Sequence, residues 1–370
     1  MGAGVSMAFS YSMRPADTGH LRLPEKPARR GRIQRLIETA ERFGMLRAVR
    51  PLHDRLQASL TVLAYHRVMP TDALGAYPFD PELISATPRQ FEWQMEYIRR
   101  YLKPVSLKDV IAHLDGERRL PAGAVAVTFD DGFADTYRYA FPSLKRYAIP
   151  ATIFVATGYV DSGKPFWFEL AAFLLYRVEP HSLRIEGDTH SYPCGPSVRE
   201  RAQSLRQVQD VLKAMPNERR IAIVSDWLQR YSAQIEHGAS EHSRPISWAQ
   251  VQEMAASGIE FGSHTVTHPN LTQLGDAELE WELVESRRVL EQHLQATVCT
   301  LAYPIGTQSA FDARVIAASQ RAGYRLGLSY ISGANPLAAI DRFALRRHGI
   351  GLGTTAHYFR ALTSLPAWID

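Results

Sequence analysis

The sequence has few cysteines, no long apolar run and almost no excess charge of either sign. Its two cysteines, Cys194 and Cys299, form no CxxC pair, which argues against a disulfide framework or a thiolate metal site and favours a reducing compartment. No stretch approaches the roughly 18 apolar residues that a membrane span requires. With 42 Lys+Arg against 38 Asp+Glu, the net charge of +4 is too small to indicate nucleic-acid binding.

The N-terminal region is also a poor match to an export signal. Residues 1–10 have neither a basic start nor a sustained apolar core, so we expect a cytoplasmic protein. Between Ile33 and Leu56, apolar residues at steps of three and four predict an amphipathic helix, or two helices broken at Pro51. Its polar side is rich in arginine. This pattern suits peripheral membrane contact, although a solvated face on a packed helix is its more usual meaning.

The remainder reads as an ordinary globular α/β protein, with 45% hydrophobic and 22% charged residues. We assign residues 1–57 to an N-terminal arm with amphipathic helices and residues 58–360 to one domain. Repeated strand and helix patterns predict a parallel α/β barrel or sheet. Residues 179–243 are polar and helical in pattern, and we expect them to form an insertion that covers one side of the barrel.

The most informative stretch is an apolar, β-branched run, Val125 to Phe129, that stops at Asp130, Asp131 and Gly132. In parallel α/β folds the side chains at the carboxyl ends of strands converge on a loop-built pocket. Two adjacent aspartates at such a place repel each other unless a positive group lies beside them, and a metal ion is the simplest candidate. The alternative is that they form a turn or cap the following helix.

Histidines follow two other predicted strands. His66 ends the apolar run that begins at Ser59, and His264 and His268 follow the run from Gly258 to Gly262. If that segment is helical or a tight turn, both imidazoles can meet one ion. One carboxylate and two imidazoles leave coordination positions open for water and substrate, which is the pattern of a hydrolytic zinc site.

The neighbouring residues supply the other requirements of metal-assisted amide hydrolysis. The second aspartate of the pair can take a proton from metal-bound water, and His66 can protonate the leaving group. The loop after Tyr303 can offer the backbone N–H of Ile305 to the oxyanion. Taken singly, His66 could be a core histidine and the 303–306 loop an ordinary turn.

These residues resemble the polysaccharide deacetylases, carbohydrate esterase family 4, which share the NodB-type domain. The likeness spans roughly residues 60 to 350 and rests on three segments: Thr128-Phe129-Asp130-Asp131-Gly132, His264-Thr265-Val266-Thr267-His268-Pro269 and, as a variant of the third family motif, Tyr303-Pro304-Ile305-Gly306. The resemblance implies an irregular (β/α)7 barrel. It also implies de-N-acetylation of an N-acetylated amino sugar in a polysaccharide, glycolipid or precursor, with release of acetate.

The same resemblance assigns roles to individual residues. Asp130 is the general base, and one divalent ion, zinc in our prediction, is held by Asp131, His264 and His268. The chain resembles the branch with a Tyr-His strand before the first motif, as in the deacetylases of poly-N-acetylglucosamine, which assigns the acid to His66.

The third motif departs from the family pattern. The family has Arg two residues before the proline and Tyr directly after it, where this chain has Ala302 and Ile305. The Ile305 backbone N–H survives this change, and we place Ile305 and Tyr303 at the oxyanion and substrate. The arginine that holds the base must come from elsewhere, and we predict Arg347, with Arg346 as the alternative. His348 competes with His66 for the role of acid.

Two other functions stay open at this point. The altered third motif would suit a degenerate member that binds saccharide without turnover. Another metal-dependent hydrolysis, such as phosphoester cleavage, is also conceivable, but it usually needs two metals and more carboxylates than this site offers.

Overall fold

The computed structural model describes residues 39, 58–70, 80–178, 182–195, 197–238 and 244–364. Apart from Thr39, the predicted N-terminal helix between Ile33 and Leu56 lies outside the described residues, and so does the membrane contact suggested for it. No helix in the described ranges combines the length and the apolar composition that crossing a membrane would take.

The strands are numbered here in chain order. They are β1 Ser59–Tyr65, β2 Arg67–Val68, β3 Ile84–Ala86, β4 Lys103–Pro104, β5 Ala124–Phe129, β6 Ala151–Val155, β7 Ser182–Arg184, β8 Ser191–Pro193, β9 Glu260–Ser263, β10 Thr300–Ala302, β11 Leu326–Leu328, β12 Asn335–Pro336 and β13 His348–Gly349.

Helices alternate with these strands. The α-helices are Pro88–Tyr101, Leu107–Leu114, Phe141–Tyr147, Thr157–Ser162, Trp167–Phe173, Val198–Ala214, Asn217–Arg230, Ser232–Gly238, Trp248–Ala256, Asp276–Leu294, Ala313–Arg321 and Ala356–Ser364. Thr136–Ala140 and Leu174–Val178 are π-helical, and Pro81–Leu83, Leu271–Gln273 and Leu337–Ala339 are short 3-10 helices.

The local sequence signals fix several of these boundaries. Ser106 and Ser247 begin their helices with capping boxes, in which the serine hydroxyl and the side chain three residues later satisfy each other's backbone N–H. The Asp276–Leu294 helix begins after Gly275 and ends before Gln295, whose backbone is left-handed (φ 51°).

One curled sheet organises the molecule. Its main path is β11-β10-β9-β6-β5-β1-β12, and every neighbouring pair is parallel except β1 with β12. Segment 345–350 lies between the two edges, because Leu345 bridges Leu328 and β13 pairs with β1. The predicted class, an irregular α/β barrel, is confirmed. Because the strands are parallel, their carboxyl ends share one rim.

Strand alternation decides which side chains face the interior. Along β5, Ala124 and Ala126 join the apolar cluster inside the barrel, whereas Val125 and Val127 pack under the surrounding helices. Continuing this alternation brings the side chain of Asp130 to the inner side at the rim. The sequence of β5 therefore directs a carboxylate into the mouth of the barrel.

Region 179–243 contains the antiparallel pair β7 and β8 and the helices Val198–Ala214, Asn217–Arg230 and Ser232–Gly238. Its buried residues Val208 and Trp227 belong to an apolar cluster that also includes the Trp167–Phe173 helix and, from elsewhere in the chain, Ile84 and Phe133. The predicted domain boundary, 58–360, stays a prediction.

Two local features differ from what the neighbouring sequence alone indicates. Asp135 directly precedes the Thr136–Ala140 helix but makes no capping hydrogen bond, and its carboxylate instead accepts from Arg67 Nε at 2.6 Å. Ile84–Ala86 lies between two prolines, Pro81 and Pro88, and yet forms the strand β3, which pairs with β2. Both differences arise from contacts with distant residues rather than from the local pattern.

Candidate active site

Three side chains from two strand ends meet at the rim of the barrel. Potential ligand atoms of Asp131, His264 and His268 all lie within 4.8 Å of one another, and all three side chains are buried. Asp131 follows β5 and the histidines follow β9, which are both neighbours of β6 in the sheet. The parallel topology therefore joins residues more than 130 positions apart in the sequence.

A tight turn directs Asp131 away from the strand alternation. Asp131 has a left-handed backbone (φ 69°), and the Gly132 N–H donates to the Asp130 carbonyl at 2.9 Å, which closes a γ-turn. Gly132 (φ 84°) lies so close to Val155 that a Cβ would approach its methyl groups to 3.2 Å. The left-handed backbone of a non-glycine residue such as Asp131 costs about 1–3 kcal/mol of conformational energy. The turn allows both carboxylates to serve the same site.

The segment that carries the histidines is a tight turn and not a helix. Thr265 and His268 both have left-handed backbones, with φ of 66° and 54°. The turn is held by Glu282, whose buried carboxylate accepts the N–H groups of Val266 and Thr267 at 2.7 and 3.0 Å.

The three donors fit a divalent cation. The Nε2 atoms of His264 and His268 stand 3.5 and 3.4 Å from Asp131 Oδ1. Ligands bound tetrahedrally at about 2.0–2.2 Å are spaced about 3.3–3.5 Å apart. His264 Nδ1 contacts the Ala302 carbonyl oxygen at 2.7 Å, which places the proton on Nδ1 and leaves the Nε2 lone pair for an ion.

The electrostatics of the cluster point the same way. Burial, reinforced by Asp130 and Glu169, raises the pKa of Asp131 well above its usual value, so a carboxylate there requires a positive partner. Burial lowers the pKa of both His264 and His268, which keeps the imidazoles in the neutral form that binds metals. Within the described protein, Asp131 Oδ1 also accepts no hydrogen bond.

The second carboxylate is held by an arginine. Arg347 Nη1 and Nη2 donate to Oδ1 and Oδ2 of Asp130 at 2.7 and 2.8 Å, and Nε donates to the Ser329 carbonyl at 2.7 Å. Burial alone would raise the pKa of Asp130, but Arg347 and His264 lower it to about 2. Arg346, the alternative, is directed elsewhere and donates to the Ser332 carbonyl.

His66 follows β1 beside this pair. Its ring lies 5.5 Å from that of Tyr330, and its backbone N–H donates to Ser85 Oγ at 2.8 Å. Burial lowers the pKa of His66 to about 4, although the charge of Asp130 opposes this change. The resting imidazole is therefore neutral at neutral pH.

The competing histidine and the tyrosine of the third motif lie apart from the site. His348 Nδ1 is 3.2 Å from Ser332 Oγ, and His348 follows Arg347 directly in an extended segment, so the two face opposite sides. The Tyr303 hydroxyl donates to the Phe343 carbonyl at 3.0 Å, and its ring stacks on Phe311. Tyr303 is a core residue whose side chain does not reach the cluster of Asp131, His264 and His268.

The loop after β10 repeats the γ-turn seen at Asp131. Ile305 has a left-handed backbone (φ 66°), and the Gly306 N–H donates to the Pro304 carbonyl at 2.7 Å. A Cβ on Gly306 would lie 2.6 Å from the Tyr330 nitrogen, so only glycine fits there. Among the described residues, none accepts a hydrogen bond from the Ile305 N–H.

The sequence interpretation missed the buried charges that surround the cluster. Arg67 donates to Asp135 at 2.6 Å and to Glu169 at 3.2 Å, with all three side chains inaccessible to solvent. Arg220 donates to the carbonyls of the histidine turn. The available signal was a charged residue inside an apolar run, as for Glu169 in the Phe166–Leu175 segment.

Comparisons with a family profile and with individual proteins all find polysaccharide deacetylases. A family profile described as "Polysaccharide deacetylase" matches residues 117–327. Bacillus subtilis protein YxkH is 20% identical over 307 residues, which cover 82% of this chain and 76% of that protein. The Staphylococcus epidermidis poly-beta-1,6-N-acetyl-D-glucosamine N-deacetylase is 32% identical over 111 residues, which cover 28% of this chain and 38% of that protein.

The fold also matches a solved structure. The Streptococcus pyogenes deacetylase PplD, determined in complex with acetate, aligns with a TM-score of 0.54 at 20% identity, over 82% of this chain and 96% of that one. At this identity the match shows a shared fold.

Proposed function

Because the chain belongs to the polysaccharide deacetylase family, we propose that it is a metal-dependent hydrolase that removes the acetyl group from an N-acetylated amino sugar. The products are acetate and the free amine, so the bond that breaks is a non-peptide C–N amide bond. The observation that carries the proposal is the buried cluster of Asp131, His264 and His268 with a second carboxylate, Asp130, beside it.

Asp131, His264 and His268 would hold one divalent ion, for which we propose zinc because two imidazoles and one carboxylate suit it. When bound, such an ion supplies Lewis acidity, which polarises the amide carbonyl and lowers the pKa of water. The protein's part is to keep both imidazoles neutral and to exclude water from the ligands, which are at most 7% exposed.

Asp130 is the proposed general base. Arg347 keeps it ionised and orients it through two parallel hydrogen bonds. Each carboxylate oxygen has two lone pairs, so both oxygens can accept from Arg347 while one still accepts a proton from the attacking water. A base held in one orientation loses little entropy when the water is deprotonated.

Two further groups complete the reaction. We assign the oxyanion contact to the Ile305 N–H and the protonation of the leaving nitrogen to His66. Since the resting His66 imidazole is neutral, it must take up a proton from solvent, favoured by the charge of Asp130 while that carboxylate is still ionised. His66 then gives this proton to the leaving nitrogen, and the proton that Asp130 takes from the water returns to solvent.

The proposed substrate is an N-acetylated saccharide, as polymer, glycolipid or precursor. The name of the Staphylococcus epidermidis relative, whose match covers 38% of that protein, makes β-1,6-linked N-acetylglucosamine oligomers the first choice. Acetate release from these oligomers, from β-1,4-linked oligomers and from N-acetylated glycolipids should be measured with purified protein before and after chelation and after Zn²⁺ is restored.

We expect acetate release to fall on chelation and to return with Zn²⁺. Release that persists in thoroughly chelated protein would contradict the role of the metal. Stoichiometric metal binding without acetate release from any N-acetylated saccharide would instead support a binding protein of this fold.

A further inference from the structure

The turn that carries His268 is bound from outside the barrel by an arginine of the insertion. The His268 carbonyl oxygen accepts hydrogen bonds from Arg220 Nη1 at 2.7 Å and from Trp167 Nε1 at 3.1 Å. Arg220 Nη2 also donates to the Thr267 carbonyl at 3.1 Å. One guanidinium therefore holds two consecutive carbonyls of the turn.

The opposite side of the same turn is bound by an anion. Glu282, on the Asp276–Leu294 helix, accepts the N–H groups of Val266 and Thr267 and the hydroxyl of Thr267. A carboxylate thus meets the N–H groups and a guanidinium meets the carbonyls, which matches the charge of each ligand to the dipoles of the turn. The Asn217–Arg230 helix, which carries Arg220, also contacts the Asp276–Leu294 helix there, because Asn217 Nδ2 donates to Glu278 Oε1 at 2.6 Å.

This support matters because the backbone of His268 is left-handed (φ 54°). Non-glycine residues persist in such conformations only where the surroundings enforce them. Relaxation of the turn would rotate the Cα–Cβ bond of His268 and move Nε2, which now stands 3.4 Å from Asp131 Oδ1.

Arg220 itself is unusual for a buried cation. It is 3% exposed, its guanidinium lies 5.2 Å from the centre of the Trp167 ring, and it also donates to the Asn217 side-chain oxygen. In the described part of the chain, no carboxylate forms an ion pair with it. Burial of a charge without such a pair costs free energy. Here the buried guanidinium instead donates hydrogen bonds to the main-chain carbonyls of Thr267 and His268, the second of which is a proposed metal ligand.

We propose that Arg220 is a positioning residue for His268 as a metal ligand. This proposal rests on the proposed function of the cluster. The insertion thereby contributes to metal affinity through its Asn217–Arg230 helix, without touching the ion or the substrate.

The test compares Arg220→Gln and Arg220→Lys with the control Arg219→Gln. Arg219 is the exposed neighbour on the same helix and donates to the Glu186 carbonyl. Full-length protein is stripped of metal and titrated with Zn²⁺ against a competing chelator, and the Co²⁺ absorption spectrum reports the ligand geometry. Circular dichroism and thermal unfolding without metal show whether each variant is folded.

We expect Arg220→Gln to weaken Zn²⁺ binding about 10–100-fold, as is typical when a partner that orients a ligand is lost. The Zn²⁺ affinity of Arg220→Lys should lie between those of Arg220→Gln and wild type, because an ammonium keeps the charge but lacks the planar pair of donors that binds both carbonyls. The Co²⁺ spectrum should change in Arg220→Gln, and Arg219→Gln should match wild type in both measurements.

A folded Arg220→Gln variant with wild-type Zn²⁺ affinity and Co²⁺ spectrum would overturn the inference. If Arg220→Gln does not fold, Arg220→Lys decides the matter, and unchanged affinity in that variant overturns it equally. Failure of the wild-type protein to bind metal would count against the proposed function itself. Wild-type metal binding and acetate release with unaffected Arg220 variants would refute only the positioning role.

Discussion

Replacing Arg347 by methionine removes the guanidinium that holds Asp130 and leaves a buried carboxylate without its cation. The pair has two hydrogen bonds of 2.7 and 2.8 Å between side chains that are at most 3% exposed. Loss of one partner from a buried pair costs about 3–5 kcal/mol. With an unfolding entropy of about 2.1 cal/mol/K per residue over about 300 residues, that corresponds to a fall in Tm of roughly 5–8 °C.

The catalytic activity of Arg347→Met should fall by more than the loss of folded protein alone would explain. Without Arg347 the carboxylate either takes up a proton or turns away, and general-base catalysis contributes about 10²–10⁴ in rate. We expect kcat for acetate release to fall by about that factor at temperatures where the Arg347→Met variant is fully folded. Arg347→Lys should be milder in stability, because the charge remains, but should still lose activity, because the two parallel bonds are gone.

The assays are urea unfolding, thermal unfolding and acetate release. Arg346→Met is the matched control and should match wild type, since among the described residues the Arg346 side chain donates a hydrogen bond only to the carbonyl of the exposed Ser332. Adding Asp130→Asn to Arg347→Met should recover part of the lost stability, because no buried charge then lacks its partner. Wild-type stability and kcat in Arg347→Met would refute the reasoning.

Three further predictions follow from the same site. His264→Ala should abolish both metal binding, measured by metal analysis after dialysis, and acetate release, whereas Asp130→Asn should keep the metal and lose turnover; full activity in the His264 variant would contradict the assignment. Zn²⁺ at about 100 times its Kd should stabilise the stripped wild-type protein by about 2.7 kcal/mol in urea unfolding, and no such gain should appear in the His264 variant. Arg67→Met should destabilise the protein by about 3–5 kcal/mol in the same assay, because the guanidinium is lost from two buried carboxylates, Asp135 and Glu169; a change below 1 kcal/mol would show that the network contributes little.

What could be predicted from the sequence was local. Capping boxes form at Ser106 and Ser247 because these side chains bond to the backbone of their own neighbours. The Asp276–Leu294 helix likewise follows from the pattern of its own residues. The parallel strands were predicted from apolar runs, and because parallel strands present their ends on one rim, Asp131 and the two histidines could be grouped before any coordinates were known.

Only the tertiary structure decided which distant partner each charge meets. Arg346 and Arg347 are equivalent in the sequence, but the extended backbone turns Arg347 towards Asp130 and Arg346 outward. Tyr303 belongs to a motif with functional residues, yet packing places its side chain in the core.

The same holds for Arg220, whose main-chain acceptors lie 47 and 48 residues further along the chain. Helix periodicity and capping act over a few residues, so they could indicate the Asn217–Arg230 helix. The direction of a buried guanidinium depends on how two helices and a turn pack together, and that is set by the whole fold.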